Sequence, residues 1–202
     1  MGKVGPGIEM KIAADGEVLF RGPNNMKGYF KNARATAETI DAEGWLHSGD
    51  IGEIDADGFL KITDRKKDLI ITAGGKNVAP QLIERIIRSS RFIGQAVACG
   101  DRRKYISALI TLDVENVLAW AASNGKGSLT EEQLATDSDV NRLVQEEITR
   151  LNAQLASYES VKRFHILPRD FTVETGELTP TLKIKRRVVS DRYEGEIAAM
   201  YG

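Results

Sequence analysis

Residues Gly58–Pro80 read GFLKITDRKKDLIITAGGKNVAP, and the patterns inside this stretch decide the architecture. Asp55-Ala56-Asp57-Gly58 is a turn that opens into an alternating strand, Phe59–Ile62. A charged knot, Asp64-Arg65-Lys66-Lys67-Asp68, separates that strand from the apolar run Leu69-Ile70-Ile71. Such a knot has no place in a core, so it belongs at a surface or a boundary between two parts of the fold. Gly74-Gly75 lets backbone approach another group closely or adopt positive φ, and Lys76 stands directly behind it. Pro80 opens a helix at the first position, where its missing N–H costs nothing. The plain alternative is a hairpin with a solvated turn; the flanking sequence decides between the two.

Toward the N-terminus the pattern is mostly β. Ile8–Ala13 and Glu17–Phe20 form a hairpin about Ala14-Asp15-Gly16. Asn32 caps a short helix over Ala33–Ile40. Gly44–Asp50 reads as a glycine-bounded loop ending in a carboxylate, and Ile51–Ile54 pairs with Phe59–Thr63. Toward the C-terminus the pattern becomes α+β. A helix over Pro80–Ser90 buries Leu82, Ile83, Ile86 and Ile87. Ile93–Gly100 and Tyr105–Leu112 read as paired strands. Asp113 caps a helix over Val114–Ser123, and Thr130 starts a short helix with Glu132 and Gln133 near the capping-box position. Val140–Ala156 has the 3.6 period of the longest helix. Phe164–Leu167 is a short strand, and the basic run Lys183–Arg187 leads into a final helix.

Composition limits the function. Net charge −1 argues against a dedicated nucleic-acid binder. One cysteine, Cys99, lies in an apolar run and reads as a buried structural thiol, which fits a cytoplasmic protein. No apolar run reaches the roughly 20 residues of a membrane helix, which leaves peripheral membrane contact open. His47 and His165 lack partners at zinc spacing, so no metal site is expected.

Four charged residues invite a functional reading. Asp50 can accept from vicinal hydroxyls such as those of a ribose, although a loop aspartate is more often a turn or cap residue. Arg65 can grip a phosphate or ribose oxygen in a fork, although alone it reads as a surface charge. Gly74-Gly75-Lys76 lacks the frame of a phosphate loop. Lys183, in the loop Thr179-Pro180-Thr181-Leu182, can set a point charge on a phosphate and a carboxylate together; its plain alternative is a basic helix start.

The order Gly22…Gly28-Tyr29, Trp45-Leu46-His47-Ser48-Gly49-Asp50, Asp64-Arg65-Lys66-Lys67-Asp68…Gly74-Gly75-Lys76 and finally Lys183 resembles the adenylate-forming superfamily. Thr72–Pro80, Leu178–Lys183 and the helical segment 116–156 resemble its long-chain fatty acid–CoA ligase branch. The resemblance covers essentially the whole chain. It implies a two-step reaction. A fatty carboxylate attacks the α-phosphate of ATP to give acyl-AMP and pyrophosphate, and the CoA thiol then displaces AMP while a small C-terminal domain rotates between the steps. By motif matching, Asp50 would hold the ribose hydroxyls, Arg65 the ribose and phosphate region, and Lys76 a nucleotide phosphate. Gly74 and Gly75 would line the pantetheine passage, Lys67 or Asp64 would be the hinge, and Lys183 the adenylation lysine.

Two departures stand out. Many members have Gly before the last lysine, where this chain has Leu182. The phosphate loop and most of the acyl pocket are absent. The resemblance therefore implies an α+β fold in two parts. Residues 1–63 would be a β-rich remnant of a large N-terminal domain, and 64–202 a small α+β lid domain with an antiparallel sheet. It implies ATP, CoA and Mg2+ in the full-length enzyme, its upstream domain as partner, and an inactive isolated fragment. The competing expectations are a ligase that passes acyl-AMP to a carrier protein and a non-catalytic interaction module.

Overall fold

A computed structural model describes residues 2–202. The chain divides into two compact units, Met1–Leu69 and Ile70–Gly202. The boundary expected at residue 63 instead lies within a strand, because Asp64 and Arg65 continue its pairing.

The first unit is a four-stranded antiparallel meander. β1 (Glu9–Ile12), β2 (Glu17–Arg21), β3 (Leu46–Ile54) and β4 (Leu60–Arg65) are neighbours in sequence order. Val18, Leu19, Trp45 and Leu60 are its buried apolar residues. A short helix, α1 (Ala33–Thr39), starts where the Asn32 side chain accepts from the Ala35 N–H at 3.0 Å. The expected loop at residues 44–50 is a correction: from Leu46 onward it is β3. Leu46 and His47 pair with Phe20 and Leu19, and Asp50 pairs with Arg65. The glycines hide the alternation there, and pairing on both edges overrides weak local propensity. Gly52 sits at a register shift in β3; a Cβ there would lie 2.8 Å from Val18 Cγ2 and 2.9 Å from the Lys61 carbonyl, so only glycine fits.

The second unit starts with a small hairpin, β5 (Ile70–Ile71) and β6 (Asn77–Val78), followed by α2 (Pro80–Ile87) with Pro80 at its start. Its main sheet has the order β7 (Ile93–Cys99), β8 (Ile106–Leu112), β9 (Val161–Ile166). β7 and β8 form the expected antiparallel pair, and β9 adds to β8 in parallel. A parallel neighbour needs a long crossover. It is supplied by α3 (Val114–Ser123), α4 (Glu131–Leu134) and α5 (Ser138–Asn152). Asp113 caps α3, Thr130 and Gln133 complete a capping box on α4, and Asp137 caps α5. The final helix expected from the basic run is two, α6 (Arg186–Arg192) and α7 (Glu194–Ala199), broken at Tyr193.

All of β8 is buried, and its alternation sorts two cores. Ile106, Ala108, Ile110 and Leu112 join Ile83, Ile87, Val117, Val144 and Ile148 on the face covered by α2, α3 and α5. Leu109 joins Val97, Phe171, Leu178, Val189 and Tyr193 on the opposite face. Burying one such leucine or isoleucine contributes about 1.5–3 kcal/mol. Cys99 belongs to the second core, and desolvation pushes its thiol up to about 11, so it stays protonated and inert at neutral pH.

Candidate functional site

In the first unit the structure brings Asp50 and Arg65 together. They are register partners on β3 and β4, and Arg65 Nε lies 2.8 Å from Asp50 Oδ1. Asp50 is half-buried and Arg65 open to solvent. The Asp50 N–H donates to Ser48 Oγ at 3.0 Å. Asp64 is buried, and its Oδ1 accepts from the Arg65 N–H at 2.7 Å. Asp64 is thus tied into the pairing of β4 with β3. Lys67 lies on an exposed 3-10 turn, Lys66–Asp68, just before the two units divide.

In the second unit, Lys76 and Lys183 end the same kind of turn. In Thr72–Lys76 the Thr72 N–H donates to the Lys76 carbonyl at 3.0 Å and the Gly75 N–H to the Thr72 carbonyl at 2.9 Å. The Lys76 N–H donates to Thr72 Oγ1 at 3.2 Å. In Thr179–Lys183 the corresponding distances are 2.8, 2.8 and 3.0 Å. The fourth residue is left-handed in both turns: Gly75 at φ 73° and Leu182 at φ 58°. Gly before the lysine is therefore a conformational requirement, which this chain meets with a strained, exposed leucine. A Cβ at Gly75 would meet nothing within 4 Å and one at Gly74 only Thr72 Oγ1 at 3.9 Å, so the tip of the first turn is open. Lys76 Nζ lies 5.9 Å from the Tyr158 ring centroid. Lys183 Nζ has no hydrogen bond or ion pair among the described residues, which leaves its charge available.

The Lys183 turn stands on a buried carboxylate that the sequence did not single out. Glu177 is fully buried. Its Oε1 accepts from Arg169 Nη2 at 3.0 Å, Arg192 Nη1 at 2.5 Å and the Tyr193 hydroxyl at 3.2 Å, and its Oε2 accepts from Thr175. Burial would raise its pKa, but the Thr175 hydroxyl and the two guanidinium groups outweigh that and bring it down to about 2. The next residue, Leu178, bridges Ile184, and the Lys185 N–H donates to the Glu177 carbonyl at 2.7 Å. Arg186 is fixed in turn by Glu84, with contacts of 2.8 and 3.1 Å. No feature of the local sequence marks Glu177, because its partners lie on both sides of the turn. Among the described residues no group of three His, Cys, Asp or Glu side chains is placed to hold a metal ion, and no helix is long and apolar enough to cross a membrane.

The model of the AMP-binding enzyme C-terminal domain family matches residues 67–202. The chain belongs to this family. As an AMP-binding enzyme C-terminal domain it also has relatives that align along its whole length. It is 45% identical over 202 residues to the long-chain-fatty-acid–CoA ligase FadD15 of Mycobacterium tuberculosis, covering 100% of this chain and 34% of that protein. It is 37% identical over 223 residues to the human long-chain-fatty-acid–CoA ligase ACSBG1, covering 99% and 31%. The chain thus spans about a third of the length of these relatives. The A domain of a carboxylic acid reductase from Segniliparus rugosus, solved with AMP and a co-purified carboxylic acid, superimposes at TM-score 0.72 with 25% identity, covering 92% of this chain and 28% of that one. The matched residues include Lys67, Lys76 and Lys183, whereas Asp50 and Arg65 precede them.

Proposed function

We propose that this chain is the C-terminal part of a long-chain fatty acid–CoA ligase, which activates a fatty acid with ATP to acyl-AMP and then forms acyl-CoA. The observation that carries this reading is the 45% identity over all 202 residues to a ligase of that name. The first unit, Met1–Leu69, is the end of the N-terminal AMP-binding domain and the second, Ile70–Gly202, is its lid. The lid's partner is the upstream domain, which supplies the phosphate loop and the acyl pocket, and the enzyme works in the cytoplasm.

Asp50 accepts from the ribose hydroxyls, and Arg65 both braces that carboxylate and offers its guanidinium to the ribose and phosphate region. Lys183, whose charge is unpaired among the described residues, supplies the cation for charge developing on phosphate and carboxylate during adenylation. Lys76 offers a second cation to a nucleotide phosphate, and the open turn at Gly74 and Gly75 leaves room for a thin pantetheine arm. Lys67, in its exposed turn, is the hinge. Mg2+ would bind with the ATP phosphates and help neutralise them; no ligand cluster for it is present among the described residues.

The test uses the full-length parent protein with ATP, palmitate and CoA. Palmitate-dependent pyrophosphate release followed by palmitoyl-CoA is expected. Transfer of the acyl group from acyl-AMP to the thiol of a carrier protein, with release of AMP, but not to CoA would replace the reading with that of a carrier-loading ligase. Absence of fatty-acid-dependent pyrophosphate release would reject both and leave an interaction module.

A further inference from the structure

A buried carboxylate lies behind the Asp50–Arg65 pair and is not accounted for by the roles above. Glu17, at the start of β2, is 3% exposed. Its Oε1 accepts from the Gly49 N–H at 2.8 Å, and its Oε2 accepts from Lys66 Nζ at 2.9 Å and lies 2.8 Å from His47 Nδ1. Lys66 also reaches Asp15 Oδ2 at 2.7 Å, and His47 Nε2 lies 3.8 Å from Asp41 Oδ2. Gly49 directly precedes Asp50 and has φ 71°, so β3 carries a left-handed kink just before the carboxylate, at the register shift between β2 and β3. Lys66 directly follows Arg65. One side chain thus fixes the neighbour of each member of the pair, from a strand that carries neither.

We infer that Glu17 is a positioning residue for the nucleotide site, holding Asp50 through Gly49 and Arg65 through Lys66. The inference rests on the nucleotide role given to Asp50 above. Packing alone would not put a carboxylate here, since an apolar residue in the same place would avoid the cost of desolvating a charge. Burial works to raise the Glu17 pKa, but Lys66, His47 and the Gly49 N–H together hold it below the usual carboxylate range. Glu17 is therefore an anion at neutral pH, able to draw all three donors in. Glutamine would keep the shape but lose the charge and turn an amide NH2 toward donors. Gly49 and Lys66 would then loosen, and with them the angle at which Asp50 faces the ribose. The Gly16-Glu17 dipeptide is the only trace of this arrangement in the sequence; it reads locally as the exit from a turn.

The test compares Glu17→Gln, Asp50→Ala and Glu9→Gln in the full-length protein. AMP affinity is measured by calorimetry, KM for ATP and kcat by pyrophosphate release, and folding by a thermal melt. Among the described residues the Glu9 side chain bonds only to Arg21, on the exposed side of the same sheet, and serves as the control. Glu17→Gln is expected to weaken AMP binding and raise KM for ATP about tenfold, the scale of one lost charged hydrogen bond, with kcat within about twofold. Glu9→Gln should change neither. If Asp50→Ala weakens AMP binding while Glu17→Gln does not, the positioning role is overturned and the nucleotide reading stands. If Asp50→Ala has no effect, the reading of Asp50 fails and this inference fails with it. Should Glu17→Gln not fold, Lys66→Met decides by the same criteria, with an expected rise of about threefold.

Discussion

Leu182→Gly should stabilise this protein, against the usual direction for a leucine-to-glycine change. Leu182 holds φ 58° and is 71% exposed. A non-glycine residue in the left-handed region costs roughly 1–2 kcal/mol, and glycine removes that cost. Against it stands the larger backbone freedom of glycine in the unfolded chain, about 0.5–1 kcal/mol. With so little of Leu182 buried, the loss of packing adds only a few tenths of a kcal/mol. The expected net gain is about 0.5 kcal/mol, equivalent to a rise of about 1–2 °C in Tm for a chain of this size. Leu182→Ala keeps the backbone strain and should be neutral or slightly destabilising. Leu182→Val, β-branched, should lose about 1 kcal/mol. Urea unfolding of the 202-residue chain, followed by circular dichroism with the three variants in parallel, checks the order Gly above wild type above Val. A clear loss of stability in Leu182→Gly, with the midpoint below that of Leu182→Ala, would refute the reasoning: the leucine side chain would then be bonded into the fold more firmly than its exposure allows.

Lys183→Ala in the full-length enzyme should slow acyl-AMP formation by about 10²–10³ while sparing conversion of supplied acyl-AMP and CoA to thioester; equal loss in both half-reactions would make Lys183 structural. Lys67→Pro fixes φ near −65° at the exposed turn and should impair one half-reaction more than the other, with Lys67→Ala mild by comparison; wild-type rates in both would move the pivot elsewhere. The isolated 202-residue chain should show no palmitate-dependent pyrophosphate exchange with ATP, and any such exchange would place a working phosphate site within it. Glu177 has a folded-state pKa depressed from 4.5 to about 2, so its contribution to stability is complete above about pH 4.5 and is lost as pH falls toward 2. Acid unfolding should therefore be shallower in Glu177→Gln, which should also be about 1–3 kcal/mol less stable at pH 7; an unchanged acid transition would contradict the assignment.

How legible the chain was depends on how local each signal is. Capping residues Asn32, Asp113 and Thr130 act within a turn of themselves, and each was readable. The hairpins β1–β2 and β7–β8 were marked by glycine or charged turns between alternating runs. β3 was misread over its first half because His47-Ser48-Gly49-Asp50 has no strand propensity and is extended only by its partners on β2 and β4. The parallel placement of β9 depends on the packing of a whole crossover and leaves no mark in its own residues. The candidate site divides in the same way. Motif order singled out Asp50, Arg65, Lys76 and Lys183 as candidates, whereas Glu17 and Glu177 bond residues distant in sequence and could be found only by following hydrogen bonds.

The parallel pairing of β9 with β8 also fixes an order in time. β7 and β8 are joined by a short turn and can zip together on the microsecond scale of a hairpin. β9 has no place to dock until residues 113–160 have crossed over the first core, and closing so long a loop must precede any reward from its contacts. Until then β8 has one bare edge, a row of unpaired amides flanked by Ile106, Ala108 and Ile110. That edge is where the refolding chain is open to pairing with a second molecule. In a pulse-labelling experiment the β7–β8 amides should gain protection first and the β8–β9 ladder last, and refolding yield should fall with protein concentration for as long as that interval lasts.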